Sequence, residues 1–216
     1  MGSGKREIFL VRHGETDFNR KGIVQGSGVD SSLNNRGRAQ ALLLYERLCN
    51  IKFDFIVHSE LKRTRETLDP FLSNKESPAI QRSEINEINW GVYEGQLPSP
   101  EARAAFRSLI RDWDSGKLDA RLEEGESAAE LEARTRQFAE WLSKEAFERV
   151  LICSHGRTIR ALHCTLCGLR MEDMSLLHHN NTGLFQYQKE ETDKFWTPLL
   201  INDIRHLDQD TGNHSR

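Results

Sequence analysis

The chain has 216 residues, 29% of them charged, and a formal net charge of −3. Because this balance creates no global positive field, the composition argues against a nucleic-acid-binding protein. The apolar runs are far shorter than the roughly 20 residues that cross a bilayer, and no hydrophobic export segment precedes the first predicted strand. We therefore expect a cytoplasmic protein that binds neither nucleic acid nor membrane.

Short runs rich in β-branched and aromatic residues predict strands at 8–11, 53–57, 150–153, 183–188 and 195–200. Apolar residues at helical spacing predict helices at 36–49, 61–72, 102–113, 128–147 and 157–166. Ser127 and Glu130 form a capping-box pattern at the start of the fourth helix. The alternation predicts an α/β fold with three α/β/α layers and a mostly parallel central sheet, whose last two strands are antiparallel neighbours.

The domain organisation is predicted to be simple. No internal repeat, low-complexity tract or Gly/Ser linker divides the sequence, so we expect one domain over residues 1–216. The segment 96–126 differs in character, with two prolines and a polar loop, and is interpreted as an insertion that covers the active site. The residues after about 207 are predicted to form a disordered polar tail.

Cysteines are too few to form the dense framework that staples small secreted folds, so free thiols are expected. Cys164 and Cys167 make a Cys-x-x-Cys pair, but no second pair lies near them in the sequence. The apolar spacing around them is typical of an amphipathic helix. Core packing is therefore favoured over a zinc site.

Two histidines each follow a predicted buried strand. His13 lies in an Arg-His-Gly triplet after the strand at 8–11, and His155 lies in a Ser-His-Gly triplet after the strand at 150–153. In an open α/β sheet, ligands bind beyond the carboxyl ends of the strands. We therefore expect both histidines to line one crevice.

Further motifs lie between these histidines. The first are Asn19 and the pair Gln25-Gly26. Two longer runs follow: Ser-Glu-Leu-Lys-Arg-Thr-Arg-Glu-Thr, which contains Arg63, and Glu-Ile-Asn-Trp-Gly-Val-Tyr-Glu-Gly, which begins at Glu87. Together the motifs resemble the histidine phosphatase superfamily, the phosphoglycerate-mutase-like proteins. The resemblance extends from about residue 8 to the segment 202–207. It implies a phosphoglycerate-mutase-like fold and chemistry through a phosphohistidine.

The chemistry of phosphoryl transfer accounts for several of these residues. Because the transferred group spreads negative charge over three oxygens, the site needs preplaced cations and an in-line nucleophile. Arg12, Arg63 and His155 are predicted to form the cationic cage, since arginine stays charged and its planar fork binds two oxygens. His13 is the predicted nucleophile, with its second nitrogen donating a proton to a backbone carbonyl near Gly14, and the resemblance implies the same nucleophile.

Glu87 is the predicted general acid and base, protonating the leaving oxygen and then activating water. Glu94 is the alternative for this role. Members of the resembled family carry the acid ahead of a Trp-Gly or Phe-Gly element, which favours Glu87 and gives Glu94 a structural role.

The resemblance implies that Asn19, Gln25 and the amide of Gly26 complete the phosphate pocket. Gly14 and Gly156 are interpreted as positions where the backbone passes close to the ligand. Because arginines and His155 can neutralise the phosphate, we predict no metal and no cofactor. The expected partner is a small phosphorylated substrate, and the sequence leaves its identity and the oligomeric state open.

Other candidate residues have a plainer interpretation. Arg103, Arg107 and Arg111 recur at helical spacing, so a solvated face is favoured over a phosphate clamp, although they are the best candidates for substrate selectivity. The remaining histidines lack a comparable context, and structural or exposed positions are favoured for His58, His163, His178, His179, His206 and His214.

Three functions compete. A phosphomonoesterase that uses His13 is favoured over a cofactor-dependent phosphoglycerate mutase, because the Trp-Gly element resembles the phosphatase branch and the chain is shorter than typical mutases. A non-catalytic interaction module of the same fold is the third possibility. It is disfavoured because every catalytic position is filled.

Overall fold

The computed structural model describes residues 4–73 and 77–211. Six strands form one sheet in the order β3-β2-β4-β1-β5-β6. The strands are β1 (Lys5–Arg12), β2 (Phe55–His58), β3 (Ala79–Gln81), β4 (Arg149–Ser154), β5 (Leu184–Glu190) and β6 (Thr197–Asp203).

The predicted mostly parallel sheet is confirmed. β1, β4, β2 and β3 pair in parallel, while β5 runs antiparallel to β1 and β6 antiparallel to β5. The edge strand β3 escaped prediction because it has only three residues and none of them is buried. A strand without fully buried residues leaves no clear hydrophobic alternation in the sequence.

Within residues 4–73 and 77–211, six α-helices accompany the sheet, and the five predicted helices are confirmed to within three residues at each end. They are α1 (Asp17–Lys21), α2 (Asn35–Leu48), α3 (Lys62–Leu72), α4 (Pro100–Asp114), α5 (Ala128–Lys144) and α6 (Gly156–Cys167). The short α1 was missed because it buries no residue and is held by its caps, Thr16 and Gly22. The Ser127–Glu130 capping box at the start of α5 is confirmed.

Alternate residues of the central strands enter two separate cores, which makes the fold three-layered. Ile8 of β1 and Val150 of β4 pack with α5 and α6 on one face of the sheet. Phe9 and Leu151, their immediate neighbours, pack with α2 and α3 on the other face. Each such side chain contributes about 1.5–3 kcal/mol on full burial. The α/β/α architecture therefore follows from strands that are apolar on both faces.

A third core anchors α4. Trp113, which is fully buried, packs with Trp90 and with Met174 of a 3₁₀ helix that follows α6. Its indole nitrogen donates to the carbonyl of Ala120 at 2.8 Å. The segment 96–126 is thus fixed to the end of α6 by its own apolar cluster.

Cys164 and Cys167 lie on α6 as predicted for a core-facing helix, and the structure gives them no metal-ligand set. The described residues contain no group of three or more His, Cys, Asp or Glu side chains placed to hold a metal ion. Burial raises the pKa of Cys164 to about 12 and that of Cys167 to about 11. Both are therefore protonated thiols at neutral pH.

At the carboxyl end, a 3₁₀ helix spans Arg205–Thr211. It extends four residues into the segment predicted to be disordered, and residues 212–216 lie outside the described ones. Across residues 4–73 and 77–211, no helix combines the length and apolar character needed to span a bilayer.

Candidate active site

A cavity of about 530 Å³ opens at the carboxyl ends of β1 and β2. Six of the predicted site residues line it, namely Arg12, His13, Asn19, Gln25, Arg63 and Glu87. The rest of its wall comes from residues that belong to the loop after α1 and to the segment around α4, namely Val24, Trp90, Pro98, Arg103, Phe106 and Arg107.

His13 follows β1 and is 2% exposed. Its Nδ1 lies 2.8 Å from the carbonyl oxygen of Gly14, which confirms the predicted contact. Because a carbonyl only accepts, Nδ1 carries the proton and Nε2 keeps its lone pair. Burial, with Arg12 nearby, holds the pKa of His13 well below its ordinary value. His13 is therefore a neutral imidazole whose free nitrogen can act as a nucleophile.

His155 lies beside His13, with ring centroids 5.2 Å apart. The Nε of Arg63 donates to His155 Nδ1 at 3.2 Å, and His155 Nε2 lies 2.8 Å from the hydroxyl of Ser59. Arginine has no acceptor, so Nδ1 must be unprotonated and His155 must be neutral. Burial, followed by the charge of Arg63, holds the pKa of His155 well below its ordinary value. The prediction that His155 supplies positive charge is wrong for this arrangement.

Arg12 and Arg63 supply the positive charge. Arg63 is fully buried, and its terminal nitrogens donate to the carbonyls of Val29 at 2.6 Å and Gly26 at 3.1 Å. Burial lowers the pKa of Arg12 to about 10, so it too stays charged at neutral pH. Among the described residues, neither arginine takes part in an ion pair. An anion in the cavity would therefore meet two guanidinium groups, whose charge the nearby Glu87 offsets in part.

Glu87 is buried at the amino end of α6. Its carboxylate accepts from the backbone amides of Arg157 and Thr158, each at 3.2 Å, and from the Thr158 hydroxyl at 3.2 Å. These donors fix the carboxylate while it lines the same cavity as His13. The carboxylate and the nucleophile can therefore reach one ligand.

Glu94 makes contacts of a different kind. Its two oxygens accept from the backbone amides of Trp90 and Gly28, both at 2.8 Å. Burial raises its pKa. These contacts join two loops, which agrees with the structural role predicted for Glu94.

Asn19 and Gln25 both line the cavity, and the side chains of both form hydrogen bonds to Thr16. Asn19 Oδ1 accepts from the Thr16 amide at 3.3 Å, and Gln25 Nε2 donates to the Thr16 hydroxyl at 2.8 Å. Gly26 presents its carbonyl to Arg63, and the donation by its amide to a phosphate stays a prediction. The segment after β1 thus places amide side chains in the cavity wall and binds Arg63 through backbone carbonyls.

The glycines after the two histidines are explained by close contacts within the protein. A Cβ on Gly14 would lie 2.6 Å from the carbonyl oxygen of Gly37 in α2. A Cβ on Gly156 would lie 2.7 Å from Cε1 of the His179 ring. Each glycine therefore permits another part of the chain to approach closely, and the close passage of the backbone to a ligand at these positions stays a prediction.

The loop before β5 contributes residues that the sequence reading did not identify. Asn181 Nδ2 donates to the His13 carbonyl at 2.9 Å and lies 3.2 Å from Asn19 Oδ1. The Thr182 amide donates to the Arg12 carbonyl at 3.0 Å. Since β5 is antiparallel to β1, its amino end necessarily meets the carboxyl end of β1. The polar Asn-Asn-Thr run before the predicted strand was the available signal.

The ring of His179 packs against Gly156, a structural contact that agrees with the interpretation given to the histidines without a motif. Burial, followed by the charge of Arg12, lowers its pKa to about 3. His58, His163 and His206 have the expected structural contacts, His178 is exposed, and His214 lies outside the described residues.

The arginines of α4 agree with the favoured interpretation in being exposed. Arg103 and Arg107 also line the cavity, so they stay the candidates for substrate selectivity. Arg111, one turn further along, is exposed and is not among the residues of the cavity wall.

A sequence model of the histidine phosphatase superfamily (branch 1) matches residues 8–204. The chain belongs to this superfamily. It is 32% identical over 164 residues to phosphoserine phosphatase 1 of Hydrogenobacter thermophilus, covering 76% of this chain and 77% of the relative. It is 31% identical over 209 residues to the probable phosphoglycerate mutase GpmB of Shigella dysenteriae, covering 94% and 95% of the two chains.

Solved structures of the superfamily share the fold. The alpha-ribazole phosphatase from Shigella flexneri superimposes with a TM-score of 0.78 and 26% identity, over 92% of this chain and 96% of that one. The likeness therefore extends over nearly the whole fold and is not confined to the motifs of the cavity.

Proposed function

We propose that the chain is a phosphomonoesterase that hydrolyses a small phosphorylated metabolite through a phosphohistidine on His13. The observation that carries this proposal is the geometry of His13, whose Nδ1 is tied to Gly14 while Arg12, Arg63 and Glu87 line the same cavity. An imidazole with a fixed tautomer, two guanidinium groups and a carboxyl group together meet the needs of phosphoryl transfer.

The reaction runs in two displacements. In the first, Nε2 of His13 bonds to phosphorus while the ester P–O bond breaks, and the protonated carboxyl of Glu87 gives its proton to the departing alkoxide oxygen. In the second, the Glu87 carboxylate takes a proton from water, whose oxygen bonds to phosphorus as the P–N bond breaks. Free phosphate, neutral His13 and protonated Glu87 are regenerated.

We also propose that the reaction needs no metal ion. Arg12 and Arg63 present fixed positive charge where the phosphoryl oxygens would lie, which is the task a metal performs in many phosphoryl-transfer sites. The neutral His155 packs beside the nucleophile and is fully buried, outside the set of residues that line the cavity. The cytoplasmic location expected from the sequence stays a prediction.

The test is phosphate release from a panel of small phosphomonoesters, with His13→Ala as the inactive variant. His178→Ala is the matched control, because it removes an exposed histidine outside the cavity. We expect turnover and an acid-labile phosphoryl label in the wild type and the control, and neither of them in His13→Ala. Normal turnover by His13→Ala would overturn the assignment.

A mutase is tested in the same preparation with 3-phosphoglycerate and a bisphosphoglycerate primer. The phosphatase proposal predicts free phosphate as the main product, since the Trp90-Gly91 element after Glu87 resembles the phosphatase branch. Rapid isomerisation with little free phosphate would replace it with the mutase.

A further inference from the structure

Arg103 and Arg107 give the cavity a second positive wall, separate from the buried arginines that face the phosphoryl group. They lie four residues apart on α4, so their side chains leave the same face of the helix. Both line the cavity that also contains His13 and Glu87. One ligand can therefore contact the nucleophile and α4 at the same time.

Neither arginine of this wall is neutralised within the described chain. Arg103 Nε donates to the carbonyl of Pro98 at 3.2 Å, which steadies the side chain and leaves its terminal nitrogens for other contacts. None of the ion pairs in residues 4–73 and 77–211 involves Arg103 or Arg107. Like charges at this helical spacing repel each other, and an anion held between them would remove that cost.

An apolar surface adjoins the two arginines. The Phe106 ring packs edge-on against Trp90, with centroids 5.1 Å apart, and against Tyr93 at 5.5 Å. Phe106, Trp90 and Val24 all line the cavity. Because the aromatic rings support one another, this wall is fixed in place and suits the hydrocarbon part of a ligand.

The volume of about 530 Å³ falls in the range of roughly 300–1,000 Å³ that small-molecule pockets occupy. A phosphoryl group held by Arg12 and Arg63 fills only part of it. The remaining space is bounded by the aromatic rings and the α4 arginines.

We propose that Arg103 and Arg107 form a second anion-binding subsite, so that the preferred substrate is a phosphomonoester that carries a further acidic group beyond a short hydrocarbon portion. The further group is a carboxylate or a second phosphate, which two guanidinium groups bind by the same chemistry. This inference rests on the proposed phosphatase activity and names the substrate class of that site.

The experiment compares three series of graded chain length: alkyl phosphates, phosphooxyalkanoates with a terminal carboxylate, and alkanediol bisphosphates. We expect wild-type kcat/KM to be higher for one of the two diacid series than for the matching alkyl phosphate. The carboxylate and bisphosphate arms identify which acidic group the subsite takes.

The variants are Arg103→Gln, Arg107→Gln and the double variant, with Arg111→Gln as a control that removes the same charge from the same helix outside the cavity. For the preferred diacid we expect kcat/KM to fall about tenfold in each single variant and about a hundredfold in the double variant, as for lost charge-assisted hydrogen bonds. For alkyl phosphates, and for Arg111→Gln throughout, we expect changes below about twofold.

Two results would overturn the subsite. One is a wild type whose kcat/KM shows no preference for either diacid series. The other is an equal loss of kcat/KM on diacids and alkyl phosphates in the Arg103 and Arg107 variants, which would indicate a general electrostatic effect or damage to α4. The phosphatase proposal fails separately: it is refuted if no series is hydrolysed, or if His13→Ala hydrolyses them as the wild type does.

Discussion

The imidazole rings of His13 and His155 lie 5.2 Å apart. The bond from Arg63 requires the His155 ring to be neutral, and burial holds the pKa of His13 well below its ordinary value. They are brought together because β1 and β4 are parallel neighbours, with Arg12 paired opposite Ser154. The His13 amide donates to the Ser154 carbonyl at 3.0 Å, which extends the strand pairing by one residue into the site. The sheet itself therefore sets the spacing of the two rings.

We predict that both rings stay neutral when the pH falls below the ordinary histidine pKa of about 6.5. Burial, with Arg12 beside His13 and Arg63 beside His155, lowers both pKa values. NMR titration of the histidine Cε1 protons should show no midpoint near 6.5 for the two site histidines. A midpoint near 6.5 for His13 would contradict the tautomer and charge derived from its contacts.

Acid should destabilise the fold. Where burial lowers a histidine pKa, the unfolded chain binds more protons than the folded chain below about pH 6.5, so the free energy of unfolding decreases as the pH falls. The pKa of His206 is lowered to about 4 and that of His179 to about 3, chiefly by burial. Urea unfolding between pH 7 and pH 4 measures the effect. His206→Gln should reduce the pH slope by up to about one proton, and an unchanged slope in this variant would contradict the assignment.

Glu87→Gln should lower kcat by about 10²–10⁴-fold, because the amide can neither give nor take the proton that the reaction needs. Its donors at the amino end of α6 remain, so KM should change little. Glu94→Gln is the matched control, since Glu94 holds loop amides and should affect stability more than kcat. A larger loss of kcat in Glu94→Gln would exchange the roles of the two carboxylates.

Asn181→Ala should lower kcat by about tenfold through loss of the bond that holds the His13 carbonyl. Binding should weaken less, because Asn181 is not part of the cavity wall that meets the substrate. The control is Asn180→Ala, whose side chain bonds Asn202 instead. Steady-state kinetics would argue against a positioning role if both variants lost kcat to the same extent, or if Asn181→Ala raised KM alone.

Chelators should leave turnover unchanged. The reason is that Arg12 and Arg63 carry fixed positive charge in the cavity and stay protonated at neutral pH, Arg12 with a pKa of about 10. The measurement is phosphate release before and after dialysis against EDTA, beside a magnesium-dependent phosphatase as the positive control. Loss of turnover that added Mg²⁺ or Zn²⁺ restores would show that the arginines do not suffice.

Much of the fold was predictable from the strands. β1 and β4 are apolar on both faces because each packs against two layers of helices, and that double burial is what a continuous apolar run records. β3 and α1 contain no fully buried residue, so the sequence shows no comparable pattern for them. Sequence periodicity therefore identified the elements that build the core and missed those held by pairing or capping alone.

The site was predictable to the extent that its residues belong to local motifs. His13 and Glu87 were found in this way, but the charge of His155 was not, because it depends on the Arg63 nitrogen that happens to donate to it. Asn181 acts through a contact between β5 and β1 that only the strand order reveals. Arg103 and Arg107 face the cavity because Trp113 and Leu109 anchor the other side of α4, a choice of face that helical spacing alone does not specify.

The separate apolar cluster under α4 has an evolutionary consequence. The nucleophile and its arginines are held by the sheet and by α3 and α6, whereas α4 is attached through Trp113 and its neighbours. Mutations on the cavity-facing side of α4 can thus change which metabolite is preferred without disturbing the residues that transfer the phosphoryl group. Enzymes that descend from one ancestor can therefore acquire new substrates through substitutions confined to one helix.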